Sequence, residues 1–337
     1  MFAVSVLPNE LLTALRRVGI KLERQQRIEA EYRGIVNGLN TLPAILLTRA
    51  ESEIVEAARL YRWRRQLPIL IRLFGRRLTD RAQLRHLPGL EFLFLFHRDG
   101  HIREAALVRI SGPIPSAFLF AALAWRLNDW VEQVRSAALD CATRVFPITS
   151  ADIVADAAMA LLGRYHSWGR WGPRHQVLEE AFARTDVAEK LANILAGELV
   201  GPSATILQYA LRSAVMDAHL ARLARDAIQP AVRAMATRAL IDGVVRWPNG
   251  WRWRWIDKSM GIRRSETVFE TRALTTPSNR FRHIEVGLID RSAMVRNAAI
   301  SGLIRYRDEI PNARTLAASL LTDRSRRVRE RAEFLQK

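Results

Sequence analysis

Tryptophan and arginine alternate in one short stretch, residues 246–264, which read RWPNGWRWRWIDKSMGIRR and hold four of the nine tryptophans. Indole rings stack on nucleobases and guanidinium groups bind phosphates, so this stretch suits nucleic acid or another anionic partner. In a helix, however, three residues at i, i+2 and i+4 do not share one face. We therefore expect some of the tryptophans to pack in the core while another points outward with the arginines. The candidate binding residues are Trp251, Arg252, Trp253 and Arg254.

A second aromatic and basic cluster, RYHSWGRWGPRHQ, lies at 164–176. Gly169, Gly172 and Pro173 predict a loop, and loops carried by a regular scaffold are frequent binding sites. A divergent structural repeat, with its aromatic rings in the core, would give the same composition. The candidate binding residues are Trp168, Arg170, Trp171 and Arg174.

Residues 59–85 form the most basic stretch of the chain, with nine arginines and one acidic residue. A solvated helix face is the ordinary explanation of such a run. One arginine in every three positions, mixed with Tyr61, Trp63 and Phe74, instead favours an anionic partner, either nucleic acid or an acidic protein surface. The candidate binding residues are Arg62, Arg64, Arg65, Arg72, Arg76 and Arg77.

Motifs that would indicate catalysis or a metal site are missing from the sequence. It contains no HExxH, GxSxG, P-loop or dinucleotide-binding glycine pattern. His97, Asp99 and His101 come together in HRDGH, but the glycine predicts a turn and Asp99 suits a helix cap. The single cysteine, Cys141, excludes an internal disulfide and a cysteine-based zinc site. We expect no cofactor, no metal and a protein that is not an enzyme.

The elements that position these clusters are predicted by a repeat of about 33 residues. Three segments begin at aspartates spaced 33 residues apart, and each has Val or Ile at +5 and Arg at +6. They are DKSMGIRRSE, DRSAMVRNAA and DRSRRVRERA. DWVEQVRSAA follows the same rule. The aspartate caps a helix, and the arginine lies where it can reach the aspartate of its own or the adjoining repeat. The predicted ladder consists of Asp129, Arg135, Asp257, Arg263, Asp290, Arg296, Asp323 and Arg329.

This pattern of Asp, then Val-Arg and small residues in a helical hairpin resembles the HEAT repeat, and its short period resembles the HEAT-like variety. The resemblance covers about 95–337 and implies an all-α chain built as a right-handed α-solenoid with a binding surface. The pattern is degenerate around 148–215. Residues 1–95 are helical without a clear period and are expected to cap the first repeat. The predicted domains are a cap at 1–95, basic at 59–85, and a solenoid at 96–337.

The distribution of charge indicates the kind of partner. The net charge is +18, and residues 1–103 and 246–337 hold 18 and 20 basic residues against 10 acidic residues each.

The longest apolar run, IPSAFLFAALAW, has 12 residues, whereas a membrane span needs about 20. The N-terminal residues do not match a signal peptide. We therefore expect a cytoplasmic protein.

These features predict a non-enzymatic scaffold with basic surfaces. The surfaces bind either an acidic partner or the phosphate backbone of nucleic acid, without sequence specificity. The alternative is a scaffold that binds only proteins within a larger assembly. A third reading is an enzyme resembling the alkylation-repair DNA glycosylases, which are built from HEAT-like repeats and use aromatic residues with a carboxylate. That activity needs an unpaired aspartate or glutamate beside a tryptophan, and Asp257 is expected to belong to the ladder instead.

Overall fold

The part of the chain that the structure describes is mostly helical, as predicted, and also contains a small two-stranded sheet. A computed structural model describes residues 5–61, 79–276 and 279–337. The chain divides into two compact units, Met1–Phe182 and Ala183–Lys337. The boundary between them falls inside the stretch 148–215, where the sequence repeat is degenerate.

The first unit consists of helices around an aromatic core. Phe120 stacks on Phe146 with 4.1 Å between ring centres, and both side chains are buried. The first residues of this unit form two helices separated near Gln25, where the backbone turns with a positive φ of 56°. Over residues 5–61 and 79–182, the α-helices are α1 (Asn9–Glu23), α2 (Glu29–Asn40), α3 (Leu47–Ala57), α4 (Asp80–His86), α5 (Leu90–Phe94), α6 (Gly100–Arg109), α7 (Ala117–Arg126), α8 (Glu132–Val145), α9 (Ala151–Leu161) and α10 (His175–Phe182).

The second unit combines helices with a β-hairpin. Its elements are α11 (Thr185–Gly197), α12 (Ser203–Ala210), α13 (Leu220–Asp226), α14 (Pro230–Asp242), β1 (Val244–Asp257), β2 (Ile262–Ala273), α15 (Arg280–Leu288), α16 (Ala293–Arg305), α17 (Ala313–Ala318) and α18 (Arg326–Gln336). Helices α14, α16 and α18 pack side by side in that order, and each also packs on the helix before it. Small side chains permit the close approach, since Ala234 of α14 meets Val295 and Ala298 of α16.

The arginine that follows each capping segment makes the same contact with its own turn. Its guanidinium donates a hydrogen bond to the backbone carbonyl six positions earlier, at donor–acceptor distances of 2.6–2.8 Å. This bond satisfies a carbonyl that lies outside the helix. The five donor–acceptor pairs are Arg103 with His97, Arg135 with Asp129, Arg233 with Ala227, Arg296 with Asp290, and Arg329 with Asp323.

Three of these arginines also reach an aspartate through both arms of the guanidinium. Each of these aspartates lies in the turn two residues before an N-cap position, which is held by Val131, Ser292 or Ser325, so the expectation that the aspartates themselves cap the helices is wrong. The donor–acceptor distances lie between 2.6 and 3.0 Å, and each carboxylate accepts a third bond from the backbone N–H two residues on. Bidentate pairing of this kind is among the strongest polar contacts in proteins. The hydrogen bonds that Arg296 donates to Asp323 hold the pKa of this carboxyl below its usual range. The pairs are Arg103–Asp129, Arg233–Asp290 and Arg296–Asp323.

The ladder does not include Asp257 and Arg263, and this corrects the sequence assignment. Arg233 and Asp290 are 57 positions apart, whereas Arg296 and Asp323 are 27 apart. The difference of 30 residues is the length of the hairpin 244–273. The hairpin is therefore an insertion into one repeat. Because it is nearly as long as a repeat, it places Asp257 at a misleading distance of 33 from Asp290.

The hairpin also corrects the all-α expectation. β1 and β2 pair antiparallel, from Val244 opposite Ala273 at the base to Asp257 opposite Ile262 at the tip. Asp257 turns the chain there instead of capping a helix, because its carboxylate accepts hydrogen bonds from the backbone N–H of Ser259 and Met260 and from the Ser259 hydroxyl. Alternating tryptophan and arginine in β1, with threonine, valine and phenylalanine in β2, suit an extended strand.

Two glycines of the first unit give opposite expectations for the same substitution. Gly19 of α1 packs against the backbone of Ala57, so that an added Cβ would lie 2.8 Å from its carbonyl oxygen. Gly19→Ala is expected to destabilise the chain by about 1–3 kcal/mol through overpacking. Gly34 of α2 has no atom within 4 Å of its added Cβ, so Gly34→Ala is expected to stabilise by about 0.5–1 kcal/mol. Urea denaturation of both variants checks the pair, and equal effects would contradict the packing.

Candidate functional site

The base of the hairpin is fixed in the second unit by apolar burial. Val245 and Trp247 of β1 are buried, and β1 packs on α12 and α14. The indole N–H of Trp247 donates to a carboxylate oxygen of Glu270 on β2 at 3.2 Å. The hairpin starts directly after α14, where Gly243 adopts a φ of 67° that ends the helix. The first residues of β1 are thus core residues. The outer part of the hairpin, residues 249–269, extends beyond them, and we call it the outer hairpin.

A buried ion pair fixes the second strand. The guanidinium of Arg272 donates to both carboxylate oxygens of Asp217 at 2.7 and 2.8 Å. The backbone N–H and hydroxyl of Thr275 donate to the same carboxylate at 2.9 Å. Burial raises the pKa of Asp217, but hydrogen bonds from Arg272 and Thr275 outweigh it, and the net pKa is lowered. The carboxylate therefore stays charged and holds the arginine.

One side of the outer hairpin carries three tryptophans. Trp251, Trp253 and Trp255 alternate along β1, and alternate residues of a strand point to the same side of the sheet. Their exposed fractions are 61%, 47% and 49%. They lie opposite Thr267, Ser265 and Arg263 of β2, respectively. We call this side the tryptophan face.

The same face continues towards the base of the hairpin. A bulge at residues 249–250 adds one residue to β1, so that Pro248 and Trp251 fall on the same side of the sheet. Phe269 lies opposite Pro248 and is half exposed. The guanidinium carbon of Arg246 lies 5.9 Å from the centre of the Phe269 ring. Aromatic rings thus line most of the hairpin's length on this face.

Contacts among these side chains order the rings without burying them. The guanidinium carbon of Arg263 lies 4.4 Å from the ring centre of Trp253 and 5.9 Å from that of Trp255. The rings of Trp251 and Trp253 are 5.3 Å apart and nearly perpendicular, at 83°. Cation–π and edge-to-face contacts of this kind hold the rings in defined positions. Arg263, assigned to the ladder from the sequence, is part of this face.

The opposite side of the outer hairpin carries uncompensated positive charge. Arg252 lies opposite Glu266, and Arg254 lies opposite Arg264. The Nε of Arg252 is 3.4 Å from a Glu266 oxygen, and a terminal nitrogen of Arg254 is 4.0 Å from the other. This side of the outer hairpin thus carries three arginines, Arg252, Arg254 and Arg264, and one glutamate, Glu266. Like charges directly opposite each other destabilise a hairpin, so this arginine face favours an external anion.

The aromatic residues of the 164–176 cluster pack against one another instead of facing solvent. Trp171 is buried, and its ring centre is 5.3 Å from Tyr165 and 5.0 Å from Trp168. Trp168 is half-buried and lies 5.0 Å from Trp125 of α7. Trp171 is therefore a core residue, which corrects its assignment as a ligand contact.

The two arginines of this cluster differ in surroundings. Arg174 forms an ion pair with Glu132 of α8. The side chain of Arg170 is exposed, while its backbone N–H donates to the side-chain oxygen of Asn128 at 2.9 Å. The six arginines predicted at 59–85 lie outside the described residues. They are Arg62, Arg64, Arg65, Arg72, Arg76 and Arg77.

A cavity of about 340 Å³ in the first unit places tryptophan beside a carboxylate. Trp125, Trp130 and Asp129 line it. The Asp129 carboxylate, however, accepts two hydrogen bonds from Arg103, one from Arg126 at 3.2 Å and one from the backbone N–H two residues on. All four of its ordinary acceptor positions are thus used. Asp129 serves the ladder and is not poised to act on a ligand in this cavity.

The HRDGH segment also has a structural explanation. His97 is buried, and its Nδ1 accepts a hydrogen bond from the backbone N–H of Asp99 at 2.9 Å. The Asp99 carboxylate caps α6 by accepting from the backbone N–H of His101. Across residues 5–61, 79–276 and 279–337, no three histidine, cysteine, aspartate or glutamate side chains converge as metal ligands would.

The sequence signal for the hairpin site was the alternation in WRWRW, which has the period of a strand and not of a helix. Arg246, Arg263 and Phe269 were missed as site residues because only the strand register places them beside the tryptophans.

None of the described helices is both long and apolar enough to cross a membrane. No protein-family model matches the chain, and comparison with curated proteins finds no match.

Proposed function

We propose that the chain is a non-enzymatic HEAT-like repeat scaffold, arranged as a right-handed α-solenoid, that binds nucleic acid in the cytoplasm largely independently of sequence. The observation that carries the proposal is the outer hairpin, residues 249–269, which exposes three tryptophans on one face and three arginines on the other. The solenoid part of the proposal is supported by the Arg–Asp ladder and by the side-by-side packing of α14, α16 and α18.

Charge and ring chemistry together favour nucleic acid as the partner. The outer hairpin holds five basic residues and two acidic ones, within a chain of net charge +18. Basic side chains replace the counterions of phosphate groups, and aromatic rings stack on bases of any identity. A two-stranded hairpin that extends from a folded unit also offers both of its faces to a long polymer. Both contributions are independent of base sequence, as the proposal requires.

The absence of catalysis is proposed from the state of the carboxylates near tryptophan. Asp129 is held by two arginines. Asp257 follows Trp255 by two positions, but it lies in an exposed turn where its hydrogen bond from the Ser259 hydroxyl lowers its pKa. A carboxylate in open solvent is a weak general base, because catalytic carboxylates depend on burial to raise their pKa. Neither residue meets the requirement of a glycosylase active site.

A specific observation favours a protein partner as the second candidate. The tip of the hairpin exposes Ile256, Met260 and Ile262. Exposed apolar side chains next to tryptophan and arginine are typical of the centres of protein interfaces. A scaffold that binds only protein would use this tip as its anchor.

Salt-dependent binding tests the proposal. We expect fluorescence anisotropy with labelled DNA and RNA to show binding at 50 mM salt that weakens steeply towards 200 mM, as counterion release requires. Replacing Arg252, Arg254 and Arg264 together by glutamine is expected to reduce the slope of log affinity against log salt by about 0.7–0.9 for each phosphate that the variant no longer neutralises.

A control with the same change in charge uses Arg225, Arg307 and Arg326, which are exposed and lie outside the hairpin. Their replacement by glutamine is expected to change the slope little. A chain that binds no nucleic acid even at 50 mM salt would refute the proposal and leave the protein-binding alternative. Equal slopes in the two triple variants would show binding elsewhere on the chain.

A further inference from the structure

Resting on the proposed function, we infer that the tryptophan face binds single-stranded nucleic acid by stacking bases on Trp251, Trp253 and Trp255, and that it discriminates against duplexes. The inference concerns one face of the hairpin and one class of ligand. It is carried by the spacing of the indoles, by their exposure and by the guanidinium of Arg263 beside them.

The spacing of the indoles suits bases that have been separated from one another. Alternate residues of a strand are about 6.6 Å apart along its axis, so the attachment points of Trp251, Trp253 and Trp255 recur at that interval. Bases stacked in a duplex recur every 3.4 Å or so. An indole can therefore insert between two neighbouring bases only where the nucleic-acid strand is extended to about twice that rise. A single strand extends freely, whereas a duplex keeps its base faces covered by pairing and stacking.

The rings are open to such a ligand. Trp251 and Trp255 each expose about half of their surface or more, and they lie on either side of Trp253. The Arg263 guanidinium stacks on Trp253 and is close to Trp255. A base stacked on Trp255 would thus place its phosphate within reach of a cation on the same face. This combination of stacking rings and a basic track is the means by which single strands are bound without sequence preference.

The two faces of the hairpin predict different experimental signatures. The arginine face has charge without aromatic rings, since Arg252, Arg254 and Arg264 share it with Glu266. It would attract duplex and single strand alike, with a strong dependence on salt. Stacking on the tryptophan face releases no counterions. Loss of the rings should therefore lower single-strand affinity while leaving the salt slope unchanged.

The experiment replaces all three tryptophans by valine, which keeps the strand propensity and apolar character but removes the flat ring. The matched control replaces them by phenylalanine, which keeps a stacking surface. The probes are fluorescein-labelled dT and rU oligonucleotides and a DNA duplex of the same length. Each has about 15 nucleotides per strand, a length within the range of binding-site sizes of single-strand-binding proteins. Circular dichroism checks that the hairpin and helices remain folded in each variant.

We expect the unmodified chain to bind both single strands more tightly than the duplex. The valine variant is expected to lose single-strand affinity by about a hundredfold or more, since removal of one stacking ring costs from fivefold to more than a hundredfold. Duplex affinity should change by less than about threefold, and the phenylalanine variant should keep most of the single-strand affinity. The salt slope should stay the same in all three proteins.

Two failures are distinguishable. If the unmodified chain binds none of the probes, the proposed function itself fails. If it binds duplex as well as single strands, and the valine variant binds like the unmodified chain, nucleic-acid binding stands and the tryptophan face is not its single-strand site. Loss of affinity for all probes with unchanged circular dichroism would likewise overturn the selectivity.

Discussion

Replacing Arg233 by methionine is expected to lower the free energy of unfolding of the second unit by about 3–5 kcal/mol. The Arg233 side chain is only 1% exposed. Its guanidinium donates two hydrogen bonds to Asp290 at 3.0 Å and one each to the carbonyls of Ala227 and Ile228 at 2.8 and 2.9 Å. Methionine fills similar space but leaves a carboxylate without its cation and two carbonyls without a donor. Hydrogen exchange of α14 and α16 under increasing urea measures the loss.

Three further variants separate charge from geometry. Arg233→Lys keeps the charge but loses the planar fork, so it is expected to recover only part of the stability. Adding Asp290→Leu to Arg233→Met removes the stranded charge and should restore some of it. The control is Arg225→Met, which breaks an exposed pair with Asp226 and should change the free energy of unfolding little, because solvent screens exposed ion pairs. A loss as small as this at Arg233 would contradict the ladder's role in stability.

Removal of the outer hairpin is expected to abolish nucleic-acid binding and leave the helices folded. The variant replaces residues 249–268 by Asn-Gly, which closes the remaining strands with a two-residue turn. It keeps Val245, Trp247 and Arg272, which hold the base of the hairpin. We expect the free energy of unfolding to change by about 1 kcal/mol or less, because the removed side chains are mostly exposed. Affinity for single strands at 50 mM salt should fall by about a hundredfold or more.

The companion to this deletion is Arg272→Met in the full-length chain. It leaves every residue of the outer hairpin in place but removes the cation from the buried Asp217 carboxylate. This variant should lose stability and, where it stays folded, keep its affinity for nucleic acid. If the deletion instead unfolded α14–α16, the outer hairpin would be part of the core, and its description as an insertion would be incorrect.

The helical part of the fold was predictable because its signals are local. A turn aspartate, a small apolar face and an arginine six residues after the aspartate lie within one turn and one helix, as at Asp290 and Arg296. The partner of Arg233 was not predictable in this way. Asp290 lies 57 positions away, across the hairpin. A fixed period led instead to Asp257, which happens to lie 33 residues before Asp290.

The candidate site depended on the choice between helix and strand. As a helix, residues 251–255 would scatter their tryptophans over different sides, whereas the strand gathers all three on one face. The alternation in WRWRW has the period of a strand, but Asp257 lies in register with the aspartates at 290 and 323, and that register favours a helix. In the 164–176 cluster the sequence left two readings open. Burial of Trp171 depends on contacts with Tyr165 and Trp168 that composition alone does not show.

The position of the hairpin has a consequence for how such a protein can change. Val244 and Ala273 lie opposite each other, so the chain leaves and re-enters the helical framework at almost the same place. Arg233 and Asp290 join the flanking repeats directly, whatever the intervening residues do. A new segment whose ends lie equally close together would fit at this point without a change in the register of the repeats. The framework thus permits the inserted segment to be exchanged during evolution, independently of the residues that make the helices fold.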